Sequence, residues 1–122
     1  MNERLVCIHV AGVDPDESQA LGDGFAYFYT PVDLEVIMVS AAPSEDDSDL
    51  TIDINDDGSA AISAVSCADA DVPGTWKAKH MGGSNTEVRI AAGSKVSLDA
   101  NDAAAGTAVN VHIWALTGEV FS

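Results

Sequence analysis

Leu50-Thr51-Ile52-Asp53-Ile54-Asn55-Asp56-Asp57-Gly58-Ser59-Ala60-Ala61-Ile62-Ser63-Ala64-Val65 is the stretch whose period decides the fold. Leu50, Ile52 and Ile54 alternate with Thr51 and Asp53, the period of two expected of a strand with one apolar and one wet face. Asn55 to Gly58 are residues that tolerate positive φ, and apolar alternation resumes from Ser59 to Val65, so the segment reads as a β-hairpin. The same period recurs on both sides. Arg4 to Ala11 sets Val6, Ile8 and Val10 against Leu5, Cys7 and His9, and closes at the loop-forming Gly12-Val13-Asp14-Pro15-Asp16. Asp33 to Ala41, Thr75 to Lys79, Thr86 to Ile90, Lys95 to Asp99 and Thr107 to Leu116 read as further strands. Helical character is confined to one turn over Asp16 to Leu21, stopped by Gly22 and Gly24. The aromatic cluster that follows, Phe25, Tyr27, Phe28 and Tyr29, is assigned to no strand. About eight short strands at this spacing predict an all-β fold, an antiparallel β-sandwich of jelly-roll type, in one domain over residues 1–122.

The last strand carries His112, Trp114 and Leu116 on one face and Val109, Val111 and Ile113 on the other, which predicts a central strand in contact on both sides. Only seven residues are aromatic. The core is therefore expected to consist of Val, Ile, Leu and Ala, with Trp76 and Trp114 as its largest pieces or at a subunit contact.

Twenty acidic residues oppose five basic ones, a formal net charge of −15 that repels nucleic-acid backbones and anionic membrane surfaces. No apolar run approaches the roughly 20 residues of a membrane helix. Met1-Asn2-Glu3-Arg4 lacks the basic start of a secretion signal, so a soluble chain without a leader is expected. Fourteen Asp and only three Lys are unusual in kind as well as size. Self-repulsion of such a surface is relieved when the Debye length shrinks to about 3 Å in molar salt, which points to a high-salt habitat.

Asp53, Asn55 and Asp57, followed by Gly58, match the first half of a calcium-binding loop, but its twelfth position is Ala64 rather than Glu. A hairpin turn needs the same residues, so no metal site is assigned. His9, His80 and His112 have no ligand spacing, although His9 and His112 would face each other across neighbouring terminal strands. Cys7 and Cys67 are expected as small buried side chains rather than a bridge or nucleophile. No Gly-x-Ser-x-Gly elbow occurs, and Gly82-Gly83-Ser84 lacks the lysine and helix of a phosphate loop. The chain is expected to be non-enzymatic, without cofactor. Lys77, Lys79, Arg89 and Lys95 fall on adjacent predicted strands and are expected to form one positive patch for an acidic neighbour. Trp76, Tyr27 and Tyr29 form the only aromatic set suited to a sugar groove.

Ile90-Ala91-Ala92-Gly93-Ser94-Lys95-Val96-Ser97-Leu98-Asp99, then Gly106 and Val109 to Gly118, resembles the last two strands of small β-sandwich proteins on the virions of tailed viruses. The hairpin Leu50 to Val65 and Pro73-Gly74-Thr75-Trp76 fit the same layout. With the acidic, lysine-poor composition, the chain resembles a virion protein of a halophilic tailed virus, one of haloarchaea above all. That resemblance implies a structural protein that decorates or stabilises the capsid, or a turret or tail component. It further implies a homo-oligomer, a trimer foremost, partnered with the major capsid protein and located in the virion after assembly in the host cytoplasm. A carbohydrate-binding receptor-recognition module is the alternative.

Overall fold

A computed structural model describes residues 4–12, 20–44, 50–66, 77–80 and 88–117. In chain order the strands are β1 (Arg4–Gly12), β2 (Ala26–Tyr29), β3 (Leu34–Pro43), β4 (Thr51–Asp56), β5 (Ser59–Ser66), β6 (Lys77–His80), β7 (Val88–Ile90), β8 (Lys95–Asn101) and β9 (Val109–Thr117). All pair antiparallel. The larger sheet runs β1-β9-β3-β6, with β7 also on β3, and the smaller runs β2-β8-β4-β5. The described residues contain no helix, and the all-β sandwich expectation holds.

The hairpin forms as read, with a tighter turn. Asp57 (φ 49°) and Gly58 (φ 87°) alone make the loop, the positive-φ pair whose twist suits a two-residue hairpin. Ile54 pairs with Ile62 and Ile52 with Val65, so β5 spends one more residue than β4 over that interval. This bulge turns Ile62 and Val65, three apart in sequence, onto the same buried face. The irregularity between Val36 and Met38 on β3 does the same for Val36 and Val39.

The two inner faces meet in a core that includes Val36, Val39, Leu50, Ile52, Ile54, Leu98, Val111 and Ile113. Phe25 and Phe28 only flank it. Gly12 ties the sheets together at one end, because a Cβ there would sit 2.5 Å from the Phe25 ring. β9 is central in its sheet, as expected.

Four expectations need correction. Residues 26–29 form a strand, β2, whose alternation is masked in sequence because both of its faces carry aromatics. Trp114 is not a core residue: it shares parity with His112 and lies half-buried on the outer face of the larger sheet. Cys7 is exposed for the same reason, lying opposite in phase to Val6, Ile8 and Val10. The outer face of β9 is half-buried where its inner face is closed. Trp76, Cys67, the Gly82-Gly83-Ser84 turn and most of the helical turn lie outside the described residues.

Candidate functional site

The features of the described residues with most functional potential are the two outer faces of the sandwich. On the larger sheet, register places Leu5 beside Leu116 and Glu35, Cys7 beside Trp114 and Met38, and His9 beside His112 and Ser40. Leu5 is 57 % exposed. The His9 and His112 rings stand 4.8 Å apart, tilted by 60°, and His9 Nε2 lies 2.9 Å from Asn110 Oδ1. Thus the two histidines do meet across terminal strands. Burial, and then the His9 ring, hold His112 below the ordinary histidine range. Glu35 contributes the only carboxylate among this sheet's strands, and Arg89 Nη2 lies 3.7 Å from it.

The smaller sheet's outer face is acidic and amide-rich. Asp53 stands opposite Asp99 across β4 and β8, a like-charged pair that by itself opposes pairing. Two amides separate the charges. Asn55 Nδ2 donates to Asp99 Oδ2 at 2.8 Å, and Asn101 Nδ2 donates to Asp53 Oδ2 at 3.0 Å. Gly24 N–H also donates to Asp99 Oδ1 at 2.7 Å. Beside them, Tyr27 and Tyr29 are 61 % and 63 % exposed, edge to face at 6.1 Å, and Lys95 Nζ lies 4.6 Å from the Tyr27 centroid.

Asp53 and Asn55 therefore serve the sheet, while Asp57 Oδ1 accepts from Lys95 N–H at 2.8 Å and pins the hairpin turn to β8. The three residues of the calcium-like motif each have a different partner. No group of three His, Cys, Asp or Glu is placed to hold a metal ion among the described residues. The side chain of His80 lies outside the description, although its backbone pairs with Met38.

The expected single positive patch is split. β6 and β7 both pair with β3, but Lys95 on β8 belongs to the opposite sheet. What sequence reading missed is the resulting asymmetry. The strands of the larger sheet carry Arg4, Lys77, Lys79 and Arg89 against one carboxylate, and those of the smaller carry Asp53, Asp56 and Asp99 against one lysine. The signal was present in the positions of the charges, but only strand pairing sorts them by sheet. An open cleft of about 480 Å³ near the β4–β5 turn is bordered by Asp56, Asp57, Arg89 and Ser94 among others.

No family model matches the chain, and no curated protein does. Among solved structures, it is similar over 96 % of its length to 86 % of a chain from the capsid asymmetric unit of cyanophage Pam1, with 16 % identity and a TM-score of 0.51. A chain from the acidic stable capsid of Helicobacter pylori bacteriophage KHP30 matches over 99 % of this chain and 100 % of its own, with 8 % identity and a TM-score of 0.52. The CBM36-1 domain of a multidomain xylanase from the hindgut metagenome of Trinervitermes trinervoides matches over the same shares, with 9 % identity and a TM-score of 0.50. These likenesses establish the fold class, an antiparallel sandwich shared with phage capsid chains and a carbohydrate-binding module.

Proposed function

We propose that the chain is a structural, non-catalytic component of a virus particle that decorates or stabilises the capsid and self-associates symmetrically. The observation that carries this reading is end-to-end similarity of fold to phage capsid chains, with nearly the whole of this chain used in each match. A site on the particle, assembly in the host cytoplasm and contact with the major capsid protein follow from the same reading. The surplus of fifteen negative charges favours work in concentrated salt, where like-charged copies approach at lower cost.

Antibody labelling and mass spectrometry of purified particles test the proposal. The expected result is a protein present at a copy number comparable with the capsid subunits and labelled over the particle surface. Absence from purified particles overturns it, and labelling confined to a vertex or the tail assigns it to a turret or tail instead.

Glycan recognition is a second reading, favoured by the exposed Tyr27 and Tyr29, because sugars stack on open aromatic rings. A glycan array with wild type and Tyr29→Ala tests it. Binding that the substitution abolishes supports this reading, and an empty array removes it.

A further inference from the structure

The outer face of the larger sheet is built unlike the surface of a strongly acidic protein. Leu5 and Leu116 form one row of it and Cys7, Trp114 and Met38 the next, in register across β1, β9 and β3. Leu5 is more than half exposed, and Trp114 and Leu116 are only half-buried. Polar groups stand towards the two ends. His9 and His112 stack against each other with Asn110 nearby, and Glu35 meets Arg89. Among the described residues, Glu35 is the one carboxylate on the strands of this sheet, on a chain that has twenty.

We propose that this face is a contact with a second copy of the same chain, packed face to face about a two-fold axis. Charge selects the occupant. Two copies at −15 repel each other wherever carboxylates meet, and the smaller sheet presents Asp53 and Asp99 to any approaching copy. The outward rows of β1, β9 and β3 offer apolar side chains with one acid, Glu35, which Arg89 of β7 meets, while Arg4 and the β6 residues Lys77 and Lys79 stand in register outside those rows. Such a patch is close to neutral and complements itself under two-fold symmetry. A partner of opposite charge would instead gain most by avoiding this face and seeking the carboxylates.

Size sets the strength. Three strands of nine or ten residues cover roughly 30 Å by about 15 Å at ordinary strand rise and spacing. That is below the roughly 800 Å² per partner of a standard stable interface, so the pair is expected to form reversibly with concentration and to gain from neighbouring contacts in an assembly. Salt strengthens it, since apolar burial survives screening while the long-range repulsion does not. The two-fold geometry differs from the trimer that the sequence resemblance implied.

This inference rests on the proposed self-association and goes further by locating it. Sedimentation equilibrium on the full chain, over a wide concentration range in dilute and in multimolar sodium chloride, gives the association constant. Leu5→Glu and Cys7→Glu change exposed positions on the β1 side of the face, and Tyr29→Glu adds the same charge to the opposite face. Circular dichroism and urea unfolding check that each variant folds. The expected result is a reversible dimer, tighter in high salt, that either larger-sheet variant weakens by about tenfold or more and Tyr29→Glu leaves within about twofold. Self-association that Leu5→Glu and Cys7→Glu do not disturb overturns this face while leaving the proposed assembly standing. A monomer at every concentration and salt overturns both the face and the self-association.

Discussion

The two outer faces of the sandwich solve opposite problems. On the smaller sheet, Asp53 and Asp99 are forced into opposition by the register, and Asn101 and Asn55 bridge to them so that the strands stay paired. Water and salt are the natural neighbours of such a face. On the larger sheet, Trp114, Leu116, Met38 and Leu5 occupy the equivalent outward positions, with a single carboxylate on its strands among the described residues. A net charge of −15 is thus not spread evenly, and the molecule has a side that tolerates water poorly and a side that requires it. Composition alone reports the sum of these two surfaces and hides their difference.

The largest effect that tests the contrast comes from neighbouring residues of one strand. Ile113 faces the core and is closed to solvent, while Trp114 faces outward. Ile113→Ala is expected to lower the unfolding free energy by about 2–5 kcal/mol, the cost of lost burial plus a cavity. Trp114→Ala is expected to cost the isolated chain less than half of that and to weaken self-association more. Urea denaturation at high dilution, set beside sedimentation at high concentration, separates the two. Equal destabilisation by both substitutions would mean that the outer face is covered within the single chain, and the contrast between the faces would collapse.

A middle-sized effect is expected from the smaller sheet. Asp99 accepts hydrogen bonds from the Gly24 N–H and the Asn55 amide, and holds the approach to β2 against β8. Asp99→Ala leaves both donors to water, at a cost of about 1–2 kcal/mol since the site is only partly buried. Removing one of two facing carboxylates offsets part of that in dilute salt, so the loss is expected to grow as sodium chloride is raised. Thermal melts at two salt concentrations measure this. Sedimentation is expected to show unchanged self-association, and dissociation of the copies by Asp99→Ala would move the interface to the acidic sheet.

Most of the architecture was legible because the decisive strands are amphipathic. The hairpin of β4 and β5 and the strands β1, β8 and β9 alternate clearly, and their bounds fall within a residue or two of the reading. β2 was not legible, since Ala26-Tyr27-Phe28-Tyr29 has rings on both faces and no contrast between them. For Trp114 bulk allows a core position or a subunit contact, and its phase with His112, opposite Val111 and Ile113, excludes the first. The facing of His9 and His112 was legible from their places in terminal strands. The opposition of Asp53 and Asp99 was not, because it depends on which strands pair and in which register, and that is decided by contacts distant in sequence. For the same reason the cations looked like one patch along the chain and proved to be divided between two sheets.

The smallest expected effect lies in the histidines and sharpens the comparison through pH. His112 is flanked by His9 on β1 and Ser40 on β3, with Asn110 beside the pair and the Glu35–Arg89 pair further along the face. Burial and the second ring hold its pKa below the ordinary 6.5, so the folded chain takes up this proton less readily than the unfolded chain does. Stability from this group is therefore complete above pH 6.5, declines as pH falls through that value, and stops declining once the folded form is itself protonated. Self-association through the larger sheet is expected to weaken lower still, once the folded form itself takes the proton, because each copy then brings a new positive charge to a face that excludes water. The carboxylates act in the opposite direction and at lower pH, since their protonation near pH 4 removes repulsion between copies. A fall in association below pH 6.5 followed by recovery nearer pH 4 is the expected profile, and His112→Gln is expected to flatten the first limb and spare the second. If wild type shows no first limb, the histidine pair stays wet in the associated state, and the dry contact must be confined to Leu5, Trp114 and Leu116.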